Sequence, residues 1–214
     1  IDTPPLKKID REEDLSNTQI NIKEVFFNSQ FNFGESDKEL SELGILSLKE
    51  ATKAIKDNKI DILVTAPINK DLSFSESFKY TGHTDFLKNY FKTSPLMLMI
   101  SQEVKIALLT DHIPIKDVSN AIDKEIVDQK IKALETSLIN DFQIKKPKIA
   151  VLAVNPHAGD NGVIGNEDQS IITPAINSFK ETTSSIKGPF SADTFFVNEN
   201  YKKYDGIIAP YHDQ

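Results

Sequence analysis

The apolar positions change their spacing several times along the chain, and each change marks an element. Leu40, Leu43, Leu46, Leu48, Ala51, Ala54 and Ile55 recur near every 3.6 residues. They predict a helix that Ser36 or Asp37 can cap and that stops near Asp57-Asn58. Ile60-Asp61-Ile62-Leu63-Val64-Thr65 then reads as a buried strand. Leu96–Ile100 and Val104–Leu109 read as two strands, joined as a hairpin through Ser101-Gln102-Glu103. Residues 123–141 carry Ile126, Ile131, Leu134, Leu138 and Ile139 on one side of a long helix. Lys148–Val154 is a strand, and Asn166–Thr182 is a helix that Pro174 kinks or divides. Gly206–Ala209 opens one more strand. Before Gly34 the chain is polar and irregular, with Val25-Phe26-Phe27 its one strand-like piece. Helices alternating with apolar strands predict an α/β fold.

Composition narrows this picture. A length of 214 residues suits one generous domain or two small ones. The 25 basic and 32 acidic residues leave a net charge of −7, which argues against a general nucleic-acid binder. The absence of Cys excludes disulfide scaffolds, thiolate-bound zinc, iron–sulfur clusters and cysteine catalysis. No apolar run approaches the roughly 20 residues of a membrane span, and the N-terminus has no signal-peptide core. The chain begins with Ile rather than Met, as a processed or clipped chain would.

The chemistry gathers around the four histidines. His83 lies in Thr81-Gly82-His83-Thr84-Asp85, and the other three each follow a predicted strand. They are His112 in Asp111-His112-Ile113-Pro114, His157 in Asn155-Pro156-His157-Ala158-Gly159, and His212 in Tyr211-His212-Asp213-Gln214. Open α/β sheets bind ligands at the carboxyl ends of their strands, so three imidazoles there can meet on one divalent ion. Hydrogen-bonded loop histidines are the competing reading, and the spacing does not choose between them. Gly159, Gly162 and Gly165 follow the third of these strands, either to let backbone approach a ligand or to make a tight strand-to-helix connection. Lys70, at the end of Thr65-Ala66-Pro67-Ile68-Asn69-Lys70, reads as a surface cation or as an anion or proton partner. Asp193 reads as a helix cap or a site carboxylate.

Taken in order, these clusters resemble the 4-hydroxythreonine-4-phosphate dehydrogenase family of pyridoxal phosphate biosynthesis. The motifs are Thr65 to Lys70, Gly82-His83-Thr84-Asp85, Asp111 to Pro114, Asn155 to Gly159 with Gly165 and Glu167-Asp168, Gly188-Pro189 with Ala192-Asp193-Thr194, and Tyr204-Asp205 with Tyr211 to Gln214. The resemblance covers roughly residues 40–214, and Asp85 and Asp160 stand where Glu is common in the family.

It implies the isocitrate/isopropylmalate dehydrogenase-like fold, with two α/β/α domains flanking a cleft. Residues 1–76 would form the first domain, rejoined at about 206–214, and residues 77–205 the second. It implies that His112, His157 and His212 bind zinc, magnesium or cobalt, and that His83 and Thr84 contact substrate. Lys70, Asp193 and Asp213 would be the catalytic polar groups. The implied reaction is NAD-dependent (or NADP-dependent) oxidation of 4-phosphohydroxy-L-threonine at C3. Decarboxylation to 3-amino-2-oxopropyl phosphate follows, in a cytoplasmic homodimer. Related dehydrogenases that share the three His act on threonate or erythronate phosphates or on aromatic dihydrodiols, and a non-catalytic metal- or ligand-binding fragment is the alternative of another class. The family pattern continues past Tyr-His-Asp-Gln with Gly, Lys, Asn and Arg that hold phosphate and much of the cofactor, so the resemblance predicts a segment of a longer protein, shortened at both ends.

Overall fold

In the computed structural model, residues 4–10, 14–26, 34, 37–75, 78–179 and 185–214 are described, apart from the side chains of Lys70 and Asn198. The chain divides into two compact units, Ile1–Pro95 and Leu96–Gln214.

The first unit holds the helix that the apolar stripe predicts. Helix α1 spans Lys38–Lys56, and the Asp37 carboxylate caps it by accepting from the Glu39 and Leu40 amides. Its Ile45 and Leu48 are buried with Phe78 and Phe86. Phe86 lies on α3 (His83–Phe91), and Tyr80 and Tyr90 pack edge-on or tilted against the same cluster. A short helix α2, Lys70–Ser73, precedes it. Two features differ from expectation. Leu6–Ile9 (β1) and Ile20–Lys23 (β2) form a two-stranded parallel sheet within the stretch expected to be irregular. Val25-Phe26 is not a strand, and Phe27 lies outside the described residues.

The second difference is the run Ile60–Thr65, which is not a strand. Only Leu63 packs against the α1 cluster, while Ile62 is 78% and Val64 89% exposed. A strand requires a partner for its amide ladder, and among the described residues no strand pairs with this run.

The second unit is built on a five-stranded sheet in the order β3-β4-β7-β5-β6. Its strands are β3 Leu98–Ile100, β4 Lys105–Leu108, β5 Lys148–Leu152, β6 Ser185–Phe190 and β7 Gly206–Ala209. The hairpin β3–β4 is antiparallel, and the other three pairings are parallel. Successive residues of the central strands point to opposite faces. Ala107, Ile149, Val151 and Ile208 face helix α5 (Lys124–Asn140), whose Val127, Ile131, Leu134 and Leu138 are fully buried. Leu108, Ala150, Leu152, Ile207 and Ala209 face Phe195 of the short helix α7, Ala192–Phe195. Burial on both faces explains why these strands read as continuous apolar runs.

Here too the expectations need correcting. Gly206–Ala209 is central in this sheet, between β4 and β5, and the two units divide at 95/96. Parallel pairing on both sides, and not the chain's order, fixes where this strand lies. The helix expected over 166–182 is a wide π-type turn, Asp168–Ile172, running into α6, Thr173–Asn177. Pro174 sits at the start of α6, where a missing amide hydrogen costs least, and residues 180–182 lie outside the described residues. Strand β6 escapes the sequence pattern because it contains Gly188-Pro189, and Pro is tolerated there because β6 is an edge strand.

Candidate functional site

Strands β4, β7, β5 and β6 are neighbours and run parallel, so their carboxyl ends share one edge. The chain leaving them carries His112, His212, His157 and Asp193 in that spatial order. Short bonds hold these exits together. The buried Thr110 donates its amide (3.1 Å) and its hydroxyl (2.7 Å) to the Pro210 carbonyl, tying the His112 loop to the His212 loop. Gln214 Nε2 donates to the Ala153 carbonyl at 2.8 Å, tying the His212 turn to β5.

The side chains follow this arrangement in pairs. The His112 and His212 rings are 5.8 Å apart, centre to centre, and 33° from parallel. His212 Nδ1 lies 3.2 Å from Asp213 Oδ1. His157 Nδ1 faces Asp193 Oδ2 at 3.9 Å. The cap before α7 is Ser191 rather than Asp193. Ser191 Oγ donates to Asp193 at 2.7 Å, which, with the nearby His157, holds the Asp193 carboxyl below the usual carboxylate range.

His157 stands on an unusual loop. Residues 157–161 all have left-handed backbone, from His157 (φ 51°, ψ 30°) to Asn161 (φ 54°, ψ 31°). For residues other than Gly this costs about 1–2 kcal/mol each, so something must hold the turn in place. Gly159 touches the chain's return: a Cβ there would lie 2.4 Å from the Gly165 carbonyl oxygen. A Cβ on Gly165 would lie 2.4 Å from Asn155 Oδ1. The close approach of Gly159 to the Gly165 backbone, and of Gly165 to the Asn155 side chain, supports the tight strand-to-helix connection. Beneath the turn, Asp168 and Glu167 accept from Asn155, and Ser119 Oγ, on helix α4 (Ile115–Ala121), donates to Glu167 at 2.5 Å. The Ser119 hydroxyl first, and the Asn155 amide second, push the Glu167 carboxyl down to about 2.

The first unit holds its own polar cluster. A cleft of about 200 Å³ is lined by α1 residues Gly44, Ser47, Leu48 and Ala51, by Leu63 to Ile68, and by His83. His83 opens α3, with Thr84 beside it, and Asp85 accepts from the Thr81 amide at 3.1 Å. The backbone of Lys70 opens α2, where Asn69 Oδ1 accepts from the Asp71 and Leu72 amides, but the Lys70 side chain lies outside the described residues.

Among the described residues, no three His, Asp or Glu side chains are gathered as one ion would need. The donor chemistry nevertheless fits a divalent cation. Three imidazoles leave adjacent strand ends, one with a carboxylate in hydrogen-bond reach of Nδ1 and one with a carboxylate 3.9 Å from it, and Asp111 Oδ1 beside His112 is buried without a hydrogen-bond partner. His157 and His212 are exposed, and exposed side chains change rotamer in ps–ns. The sequence reading missed Thr110, Ser119 and Asn155 as supports of this edge. Its usable signals were a Thr at a strand's end and a Glu-Asp pair opening a helix.

The family profile of "Pyridoxal phosphate biosynthetic protein PdxA" matches residues 2–214. A 4-hydroxythreonine-4-phosphate dehydrogenase of Sulfurihydrogenibium sp. is 37% identical over 97% of this chain and 69% of its own length. One of Bacteroides thetaiotaomicron is 39% identical over 85% of this chain and 50% of its own length. Among solved structures, a putative 4-hydroxythreonine-4-phosphate dehydrogenase from Salmonella typhimurium superposes on 98% of this chain with a TM-score of 0.83 at 26% identity. The 4-hydroxythreonine-4-phosphate dehydrogenase from Burkholderia phymatum gives 0.81 at 27% identity, with 65% of its own length covered. A terephthalate 1,2-cis-dihydrodiol dehydrogenase from Burkholderia xenovorans, at 20% identity and a TM-score of 0.69, shares the fold. The chain therefore spans between half and about two thirds of the length of these relatives.

Proposed function

Because the chain belongs to the pyridoxal phosphate biosynthetic protein PdxA family, we propose that it carries the metal-binding part of a 4-hydroxythreonine-4-phosphate dehydrogenase. The reaction is oxidation of the C3 hydroxyl of 4-phosphohydroxy-L-threonine, with hydride passing to NAD or NADP. Loss of CO2 then gives 3-amino-2-oxopropyl phosphate. The enzyme works as a cytoplasmic homodimer. The observation that carries this reading is the adjacency of β4, β7 and β5, which sets His112, His212 and His157 along one sheet edge.

His112, His157 and His212 hold the divalent ion, zinc, magnesium or cobalt. When bound, the ion supplies Lewis acidity that eases loss of the C3-hydroxyl proton and then polarises the ketone. The carboxylates of Asp213 and Asp193 each face an Nδ1, of His212 and His157. A proton kept on Nδ1 beside such a carboxylate would leave the other ring nitrogen free to hold an ion. Lys70 Nζ or the Asp213 carboxylate takes the hydroxyl proton. His83 and Thr84, beside the first unit's cleft, bind substrate.

Metal titration of the protein and of His112→Ala, His157→Ala and His212→Ala tests the site. Each substitution is expected to lower metal content, and wild-type content in all three rejects it. NAD reduction by the full-length protein, assayed against 4-phosphohydroxy-L-threonine, threonate phosphate, erythronate phosphate and an aromatic dihydrodiol, tests the substrate. Turnover of one of the other three in preference to the first overturns that assignment.

A further inference from the structure

We propose that Asp168 and Asn155 are positioning residues for His157, acting through the left-handed turn that carries it. The inference rests on the reading of His157 as a metal ligand. His157 belongs to no regular helix or strand, and its backbone begins five consecutive left-handed residues. Nothing intrinsic to such a turn fixes it. Asp168, 1% exposed, lies beneath it at the start of the π-type turn. Its Oδ1 accepts from the Val154 amide at 2.8 Å, and its Oδ2 accepts from both the Asn155 amide and Asn155 Nδ2 at 3.0 Å. One carboxylate thus holds the last residues before the turn at three points. Asn155 Nδ2 also donates to Glu167 at 2.8 Å, so the amide bridges two carboxylates. The Asn155 carbonyl accepts from the Ala158 amide at 3.2 Å, closing the turn around His157.

The far side of the turn is fixed as well. The Ile164 amide donates to the Gly159 carbonyl at 3.1 Å, and Gly165 passes against the Asn155 side chain. A displaced Asn155 therefore moves both limbs, and His157 with them. In Asp168→Asn one carboxylate oxygen becomes an NH2 group that meets an amide hydrogen of Val154 or Asn155. Asn155→Ala removes the bridge without introducing a wrong partner. Neither side chain is proposed to touch the metal or the substrate.

The test uses the full-length protein and Co(II), whose visible spectrum reports its ligand set. Asp168→Asn and Asn155→Ala are expected to weaken Co(II) binding about 10- to 100-fold, the range for residues that orient metal ligands. Their ligand-field bands should change while circular dichroism keeps the wild-type shape. Leu134→Ala, a core substitution away from this edge, controls for lost stability and is expected to leave the Co(II) spectrum unchanged. If His157→Ala weakens binding while Asp168→Asn and Asn155→Ala bind with wild-type affinity and spectrum, the positioning role is wrong and the ligand assignment stands. If Leu134→Ala disturbs the spectrum as much as they do, the effect is general stability and the positioning role falls. If His157→Ala binds as wild type, the ligand assignment itself fails and takes this inference with it. Should Asp168→Asn not fold, Asn155→Ala decides alone.

Discussion

Replacing Gly159 by Ala, beside the same change at Gly162, separates two costs that the His157 loop imposes. Both glycines have positive φ, +78° and +93°. Ala in that region costs about 1–2 kcal/mol, and its stiffer unfolded chain returns about 0.4–1 kcal/mol. Around Gly162 the nearest atoms to an added Cβ are side-chain oxygens of Asn166 and Gln169, both at 3.7 Å. Gly162→Ala therefore carries only the backbone cost, about 1 kcal/mol net. At Gly159 the Cβ would meet the Gly165 carbonyl oxygen at 2.4 Å. That atom is backbone, so relief means moving the loop, at the further cost of about 1–3 kcal/mol typical of overpacking. Gly159→Ala should therefore destabilise the second unit by about 2–4 kcal/mol. Native-state hydrogen exchange at the Val151 and Ile208 amides reads this directly, because both residues lie buried in central strands of that unit. Exchange should rise about 5-fold in Gly162→Ala and about 30- to 700-fold in Gly159→Ala, at tenfold per 1.4 kcal/mol. Equal exchange in the two variants would refute the close approach of Gly159 to Gly165, and with it the account of why the turn is tight.

Further outcomes follow from individual contacts. The Glu167 carboxyl is lowered from 4.5 to about 2 by the Ser119 hydroxyl and the Asn155 amide. Its folded value lies below its unfolded one, so the ionised group's contribution is fully present above about pH 4.5 and fades as pH falls toward about 2. Glu167→Gln should flatten the acid limb of urea midpoint against pH; an unchanged limb would show that Glu167 is not held this way. Leu134, fully buried between α5 and the sheet, should cost about 2–5 kcal/mol when cut to Ala, measured by the same exchange experiment. Thr110→Val removes the hydroxyl bond to the Pro210 carbonyl and should cost about 1 kcal/mol, read as faster exchange at Leu109 and Ile208.

Local sequence carried the helices and the need for burial. Period and cap together specify α1 behind Asp37 and α5 behind Asp123, because both signals act within a few residues. Continuous apolarity likewise marks β5 and β7 as strands that must be covered on both faces. Apolarity names no partner, however. Ile60–Thr65 has the pattern of a strand and no pairing strand among the described residues, whereas β6 has a neighbour and lacks the pattern. Parallel pairing puts the exits of β4, β7, β5 and β6 on one edge, and the order of the strands makes His112, His212 and His157 neighbours along it. The motif-by-motif resemblance already named these three His, but not their supports. Thr110, Asn155 and Asp168 act through bonds to backbone groups that the fold alone brings within reach. A polar side chain in a sequence shows what it can bond, and tertiary structure settles what it is offered.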